Sequence, residues 1–188
     1  MNGRGHPAES AGGYAAPMEF SIRTGTADDA LCIAALATQT FLDTYANDGV
    51  RADLAREVFA LCSTSAFEAQ LREPQTVFLL ATRGALLLGF AQLHLGLRTA
   101  GYTAHAGCEI VRLYVQPNQK RRGIGRALMD AAHQRSRAQG AATTWLTAWA
   151  ENHRARAFYK AIGYQDVGEL PYVWEDQSYE NRVFVRAL

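Results

Sequence analysis

The sequence predicts one mixed α/β domain of the α+β kind, whose central sheet of about seven strands is mostly antiparallel and is flanked by helices. Three observations support this prediction. Of the 188 residues, 48% are hydrophobic and 20% are charged, which is typical of a globular protein with a real core. Segments with helical periodicity separate clusters of β-like runs. Residues 1–18 are rich in Gly and Ala and predict a flexible N-terminal tail before a single domain over residues 19–188.

The first predicted elements are a strand and a long helix. Phe20–Thr24 is a short β-like run. Thr26 and Asp29 have the spacing of a capping box, and acidic side chains suit the positive end of a helix. Apolar residues then recur at steps of three and four residues, at Ile33, Leu36, Ala37, Phe41 and Tyr45.

Two shorter helices are predicted to follow. The first covers Asp53 to about Leu61. We expect Ser65 and Glu68 to cap the second, which ends near Pro74.

Three strands come next. Thr76–Thr82 and Leu86–Leu95 are joined by a turn around Gly84, and His105–Val115 ends before Pro117, which cannot extend a hydrogen-bonded ladder. Strands joined in this way predict an antiparallel meander in the first half of the domain.

The second half alternates helices and strands. We predict a helix from Gly123 to a cap at Gly140, a strand over Thr143–Trp149, and a helix from an Asn152 cap to Gly163. Two last strands are predicted at about Tyr164–Glu169 and Arg182–Leu188.

Charge and cysteine usage exclude several function classes. Lys and Arg number 19 and Asp and Glu 18, so a formal charge of +1 argues against a nucleic acid or a membrane as partner. No apolar run approaches the length of about 20 residues that a membrane helix needs. Cys32, Cys62 and Cys108 are scattered, and the histidines lack zinc-type spacing, so we expect neither disulfides nor a metal site. We expect a reduced, cytoplasmic protein.

One segment is locally basic. Seven basic residues and a single acid, Asp130, lie between Arg112 and Arg137. A strand ends, a basic loop follows, and Gly123 and Gly125 open a helix, whose first turn has N–H groups without internal partners. Glycines remove the side chains that would keep an anion away, so we interpret the segment as a phosphate or diphosphate site. The alternative is a solvated, Arg-rich turn before an ordinary helix.

Two familiar nucleotide motifs do not fit this segment. Leu128 stands where the dinucleotide fingerprint needs Gly or Ala, and no acidic residue follows at the distance that would hold a ribose. The Walker pattern also fails, because no Gly-Lys-Ser/Thr is present. A diphosphate ligand that needs neither a metal nor a ribose carboxylate fits better.

Two motifs carry a family resemblance. Lys120-Arg121-Arg122-Gly123-Ile124-Gly125 resembles motif A of the Gcn5-related N-acetyltransferases, Gln/Arg-x-x-Gly-x-Gly/Ala, with Lys in the first position. The run from Asn152 to Tyr164 is similar to motif B, Asn-x-x-Ala-x-x-Phe-Tyr-x-x-x-Gly-Phe/Tyr. The resemblance covers roughly residues 20–188 and implies the acyl-CoA N-acyltransferase fold with acetyl-CoA as donor and no metal.

The resemblance also implies where acetyl-CoA is held. Its diphosphate would lie on the amides of the turn before the motif A helix, and its pantetheine would pair with the preceding strand, which must splay from the strand beginning near Thr143. The implied cofactor-binding residues are Leu113, Tyr114, Val115, Lys120, Arg121, Arg122, Gly123, Ile124, Gly125, Arg126 and Asn152. For Asn152, helix capping is a second explanation compatible with this role.

Two residues are implied in catalysis. Tyr159 matches the family tyrosine that protonates the leaving thiolate, and a phenol with an ordinary pKa of about 10 carries its proton at neutral pH. Core packing is the alternative for Tyr159. Glu109 lies where several family members draw the proton from the amine, and a solvated or Arg112-paired carboxylate is the alternative. A backbone N–H near Val115 would stabilise the oxyanion.

The expected acceptor is a primary amine of a small molecule. The segment from Val167 to Val185 and Phe41–Tyr45 resemble the polyamine acetyltransferase-like branch. Carboxylates available to attract a cation, each also explained by surface solvation, are Asp43, Asp48, Glu109, Glu175 and Asp176. Alternatives are a peptide or protein N-acetyltransferase, a non-catalytic acyl-CoA sensor, and a phosphate- or nucleotide-binding protein unrelated to CoA. The sequence leaves a homodimer open.

Overall fold

The computed structural model of the chain describes residues 19–99, 106–174 and 177–188, so the predicted tail over residues 1–18 lies outside the described part. The helices are α1 (Ala30–Tyr45), α2 (Ala52–Leu61), α3 (Thr64–Arg72), α4 (Ile124–Ala138) and α5 (His153–Ala161). The strands are β1 (Ser21–Thr24), β2 (Thr76–Arg83), β3 (Leu86–Thr99), β4 (Ala106–Val115), β5 (Thr143–Trp149), β6 (Gln165–Glu169), β7 (Tyr172–Trp174), β8 (Gln177–Tyr179) and β9 (Asn181–Ala187).

Among the described residues, seven of these strands form one sheet in the order β1-β2-β3-β4-β5-β9-β6. Neighbours are antiparallel except for β4 and β5, which are parallel. The mixed, mostly antiparallel sheet of the prediction is confirmed, and so is the meander of β2, β3 and β4. Strands β7 and β8 pair separately as a hairpin.

The parallel pair β4–β5 is short and then opens. Its ladder pairs Cys108 with Thr144 and Glu109 with Trp145. Gly107 permits the close approach at the start, because a Cβ there would lie 2.3 Å from the carbonyl oxygen of Thr143. Beyond Glu109, β4 continues to Val115 with β3 as its ladder partner, so its other edge pairs with no strand of the described residues. The splay that the resemblance implied is therefore present.

The sheet buries a separate apolar cluster on each face. Successive residues of β2 alternate between the two clusters, as a strand requires, with Leu79 on one face and Leu80 on the other. Helices α4 and α5 cover the first face with residues such as Leu128 and Met129. Helices α1, α2 and α3 cover the second, where the rings of Phe67 and Phe78 lie 5.8 Å apart. Burying one such ring fully contributes about 1.5–3 kcal/mol.

One local prediction was wrong, and one pair of strands was not predicted. Ser63, not Ser65, caps α3, since its hydroxyl oxygen accepts a hydrogen bond from the N–H of Ala66 at 3.2 Å. The β7–β8 hairpin was not predicted, because each strand has three residues and its pattern is too short to show alternation. The predicted capping box is confirmed at the 3-10 turn Ala27–Asp29 that leads into α1: Thr26 N–H donates to the Asp29 carboxylate at 2.8 Å. In the described part of the chain, no helix combines the length and apolar character needed to span a membrane.

Candidate active site

The open edge of β4 is the first component of the site. Leu113 and Val115 turn their side chains toward the α4–α5 face, and the ring of Tyr114 packs against Phe90 on the opposite face at 5.4 Å. Side chains therefore leave to both faces of the sheet, and the backbone itself borders the gap to β5. An extended chain with amide groups can pair with such an edge as an added strand.

The basic turn at the end of β4 is the second component. A single 3-10 turn over Pro117–Gln119 leads into Arg121 and Gly123, which adopt left-handed conformations with φ values of 65° and 81°. Helix α4 then begins at Ile124, and its first internal hydrogen bond runs from Ala127 N–H to the Gly123 carbonyl at 3.0 Å. The preceding N–H groups have no partner within the helix, which is the geometry that binds anions.

The predicted cofactor residues in this turn differ in whether their backbone amides or their side chains are accessible to a ligand. Ile124 is 1% exposed and packs in the core, so only its amide can reach a ligand. Gly125 lies over motif B, since a Cβ there would be 3.6 Å from the ring of Phe158 and 3.9 Å from Val115. The basic side chains remain near solvent: Lys120 is half-buried, and Arg121, Arg122 and Arg126 are exposed.

These two components fit a ligand with a diphosphate at one end and an amide-bearing arm at the other. The anion-binding turn directly follows the open strand edge, so both belong to one continuous surface of main chain. A positive φ and the absence of a side chain at Gly123 leave the amides of the first turn accessible. Coenzyme A has both features, and the residues present therefore fit it.

Asn152 is occupied as a helix cap. Its side-chain oxygen accepts a hydrogen bond from Ala155 N–H at 3.1 Å. The cap fixes the start of α5, the helix that carries Tyr159, and so contributes to the site at least indirectly.

Tyr159 lies in the core beside the site. It is 8% exposed, and its ring packs against Phe158, Tyr164 and Phe184 with centroids 5.5, 6.0 and 5.8 Å away. Burial raises the pKa of Tyr159, and the neighbouring phenols Tyr164 and Tyr45 raise it further. The hydroxyl therefore keeps its proton at neutral pH, as a hydrogen-bond or proton donor must.

A buried polar chain lies behind Tyr159. Arg186 Nη1 lies 3.0 Å from His133 Nδ1, and Arg can only donate, so Nδ1 accepts and the other ring nitrogen carries the proton. His133 Nε2–H then donates to Tyr164 Oη at 2.9 Å, and Tyr164 donates to Thr144 at 2.8 Å. Burial, followed by the charge of Arg186, lowers the pKa of His133 to about 4.

Glu109 marks the point where β4 and β5 separate. It is half-buried, pairs in register with Trp145 of β5, and faces His94 across the ladder to β3. Its neighbour Cys108 is fully buried, with its thiol 3.4 Å from the Leu95 carbonyl. Because successive side chains of a strand alternate, Glu109 is directed away from that side.

Sequence reasoning missed a group of polar residues on the α1–α3 side of the opening. Glu57 of α2 is 4% exposed and accepts a hydrogen bond from Tyr172 Oη of β7 at 2.9 Å. Burial, followed by the charge of Glu57, raises the pKa of Tyr45 to about 12. The signal in the sequence was an acid within an apolar stripe: Glu57 stands beside Leu54 and Val58, the buried residues of α2.

The acidic residues proposed from the sequence for cation binding fare differently. Asp43 and Asp48 are exposed, which agrees with the alternative that they are solvated surface residues. Glu175 and Asp176 lie outside the described residues. Within residues 19–99, 106–174 and 177–188, no cluster of three His, Cys, Asp or Glu side chains could hold a metal ion.

Comparison with known proteins places this geometry in context. The model of the Acetyltransferase (GNAT) family matches residues 40–164. A relative described as an uncharacterized N-acetyltransferase in the pepI 3′ region of Lactobacillus delbrueckii subsp. lactis is 23% identical over 154 residues, which cover 82% of this chain and 89% of the relative.

Two solved structures have the same fold. The PaiA N-acetyltransferase of Thermoplasma acidophilum, in complex with coenzyme A, is 19% identical with a TM-score of 0.73, covering 91% of this chain and 100% of that one. The ribosomal-protein-S18-alanine N-acetyltransferase of Escherichia coli is 19% identical with a TM-score of 0.62, covering 90% and 94%. These similarities extend over nearly the whole domain.

Proposed function

Because the chain belongs to the Acetyltransferase (GNAT) family, we propose that it transfers the acetyl group of acetyl-CoA to a primary amine of a small, polyamine-like molecule by direct attack in a ternary complex. Membership of the family makes the chain an acetyl-CoA-dependent N-acetyltransferase; the acceptor and the residue roles are the proposed part. The observation that carries the proposal is the opening between β4 and β5, with the anion-binding turn at its wide end and Glu109 at its closed end.

Backbone groups provide most of the contacts to the donor. The amides of the first turn of α4 bind the diphosphate, with Lys120, Arg121 and Arg126 adding charge from the rim. The edge of β4 at Leu113, Tyr114 and Val115 pairs with the pantetheine arm. Phe158 lies under Gly125 and thereby holds α5 against this turn.

When bound, acetyl-CoA supplies a thioester whose carbonyl carbon a neutral amine attacks and whose thiolate leaves. Glu109 accepts the proton that the acceptor amine releases, directly or through a water molecule. A backbone N–H of β4 near Val115 donates a hydrogen bond to the carbonyl oxygen as negative charge develops there.

Tyr159 assists the leaving group. Its raised pKa keeps the proton on the hydroxyl until negative charge develops on the sulfur. The phenol then donates a hydrogen bond or its proton to that sulfur. The packing of Tyr159 between Phe158, Tyr164 and Phe184 restricts the ring to one position, so the donor is oriented before the reaction begins.

The acceptor side of the opening supports a small cationic amine. The β7–β8 hairpin is fastened to α2 at two points, by Tyr172 on Glu57 at 2.9 Å and by Arg51 Nη2 on Tyr179 Oη at 3.2 Å. We propose that this fastened hairpin forms one wall of the acceptor site. Glu57 and Glu109 place two carboxylates on this side, beside Arg51 and Arg112, and a carboxylate favours a cation.

A coenzyme A release assay over a panel of acceptors tests the proposal. The panel contains polyamines, amino acids, aminoglycosides and short peptides, each with acetyl-CoA. We expect the highest kcat/KM with polyamines. Turnover of peptides with none for polyamines would contradict the acceptor class, and the absence of coenzyme A binding in calorimetry would contradict the assignment of the anion-binding turn.

A further inference from the structure

The strongest unexplained feature of the molecule is the carboxylate of Glu57. Its side chain is 4% exposed, in a position of α2 flanked by the buried residues Leu54 and Val58. An apolar residue would stabilise the helix packing here without the cost of removing a charge from water. The chemistry assigned to Glu109 and Tyr159 does not use this acid.

Partly exposed aromatic rings surround Glu57. Tyr45 is 40% exposed and its ring packs at a tilt against Trp149 with centroids 5.4 Å apart, and Tyr172 is 37% exposed while its hydroxyl donates to Glu57. A cation is attracted by the faces of aromatic rings and by a carboxylate at the same time. A buried acid reached past tyrosine and tryptophan rings is therefore suited to an ammonium group.

Glu57 is separate from the site of acetyl transfer. Tyr45 lies between the two places: its ring packs on Trp149, the last residue of β5, which borders the opening, and the charge of Glu57 acts on its hydroxyl. An acceptor with two amines offers one amine for transfer and one ammonium group for Glu57, whereas an acceptor with one amine can offer only one of these.

We propose, in an inference that rests on the proposed function, that Glu57 binds a second ammonium group of the acceptor while the amine to be acetylated lies at Glu109 and Tyr159. Tyr172 orients the carboxylate through its hydrogen bond, and Tyr45 and Trp149 form the aromatic wall between the two ends. Glu57 is on this view the residue that makes the enzyme prefer diamines to monoamines.

The test compares putrescine with butylamine, which has the same carbon chain and a single amine. In the wild-type enzyme we expect a higher kcat/KM for putrescine. Glu57→Gln keeps the shape and the hydrogen bond from Tyr172 but removes the charge. It should lower kcat/KM for putrescine by about tenfold to a hundredfold, the usual value of a charged hydrogen bond, and change that for butylamine by less than twofold.

Two control variants sharpen the comparison. Glu68→Gln removes an exposed carboxylate of α3 that pairs with Arg72 at 3.5 Å, and it should leave both substrates unaffected. Tyr172→Phe removes the hydrogen bond and keeps the ring, so it should lower kcat/KM for putrescine alone and by less than Glu57→Gln does. Equal losses for both amines, or an unchanged ratio in Glu57→Gln, would overturn the inference.

Calorimetry separates this inference from the proposed function. Putrescine is titrated into the complex of the enzyme with coenzyme A, for the wild type and for Glu57→Gln. If wild type binds putrescine without acetylating it and Glu57→Gln weakens binding, the polyamine-like acceptor is wrong and the role of Glu57 in binding cations stands. If the wild type neither binds nor acetylates putrescine, both are wrong.

Discussion

The two proposed binding regions of the molecule use different chemical groups, main chain on one side of the sheet and side chains on the other. On the α4–α5 side, the proposed components are main chain: the open edge of β4 and the amides of the first turn of α4, which follow a glycine at φ 81°. On the α1–α3 face and the adjoining hairpin, the components are side chains from distant segments, such as Glu57 and Tyr172, 115 positions apart in the chain. A backbone site depends on the conformation of the chain, here on Gly123, more than on side-chain identity, whereas a side-chain site depends on each residue that contributes to it.

The largest expected effect comes from Tyr159→Phe. Removal of the donor to the leaving sulfur should lower kcat by about a hundredfold, the usual contribution of a general acid, while Kd for coenzyme A stays within twofold. Tyr164→Phe is the matched control. The ring centroid of Tyr164 lies 6.0 Å from that of Tyr159, but its hydroxyl forms hydrogen bonds with His133 and Thr144. This control variant should reduce stability and leave kcat nearly unchanged. Equal kcat values in the wild type and Tyr159→Phe would show that Tyr159 contributes core packing and not proton donation.

Glu109→Gln should have an effect that depends on pH. At low pH most of the acceptor is protonated, so loss of the proton acceptor should lower kcat/KM by about tenfold or more. As the pH rises toward the pKa of the acceptor amine, the ratio of wild-type to mutant rates should approach one. Rates measured from pH 6 to 10 test this, and a constant ratio over that range would exclude Glu109 as the base.

A pair of glycine variants isolates the anion-binding turn. Gly123 and Gly140 lie at opposite ends of α4 with φ values of 81° and 76°, and a Cβ at either would contact nothing within 4 Å. Both alanine variants should therefore lose similar stability, about 1–2 kcal/mol. Gly123→Ala alone should raise Kd for coenzyme A, by about tenfold. Equal Kd values in the two variants, measured by calorimetry, would mean that the turn does not hold the diphosphate.

The smallest effect concerns stability on the α4–α5 face. The pKa of His133 is about 4 in the folded protein against an ordinary value of 6.5, so the unfolded chain binds the proton more tightly. The contribution of the neutral side chain is therefore complete above pH 6.5 and lost as the pH falls toward about 4, so the free energy of unfolding declines over that range.

His133→Gln removes this titration. Its free energy of unfolding, from urea denaturation between pH 4 and 7, should decline less steeply with falling pH than that of the wild type. The exposed His153, paired with Glu151 at 3.6 Å, supplies a control, and His153→Gln should retain the wild-type slope. Identical slopes in the wild type and His133→Gln would place the loss of stability elsewhere.

Sequence reasoning succeeded where local rules decide the structure. Gly123 and Gly125 in motif A, with Asn152 and Tyr159 in motif B, identified the family and the start of α4 and α5. The continuous β-like run over Thr76–Thr82 predicted β2, whose residues divide between two buried clusters. Both successes depend on residues close together in the chain.

The remainder depended on packing between distant segments. The apolar stripe of α2 marks Glu57 as a buried acid, but its partners Tyr172 and Tyr45 come from other elements and could not be predicted. Asp43 and Asp48 were equally acidic in the sequence and are exposed. The hairpin that carries Tyr172 has strands of three residues, too short for a pattern, and it contacts Arg51 and α2. The partners of a buried acid are therefore the property that the sequence could not supply.

The shortness of the β4–β5 ladder has a mechanical consequence. With two ladder pairs joining them, the four strands on one side and the three on the other are nearly separate half-sheets, tied together by α4 and the buried clusters. A donor that pairs with β4 as proposed would add a strand-like segment between β4 and β5, so its binding and release would close and reopen this gap in the sheet.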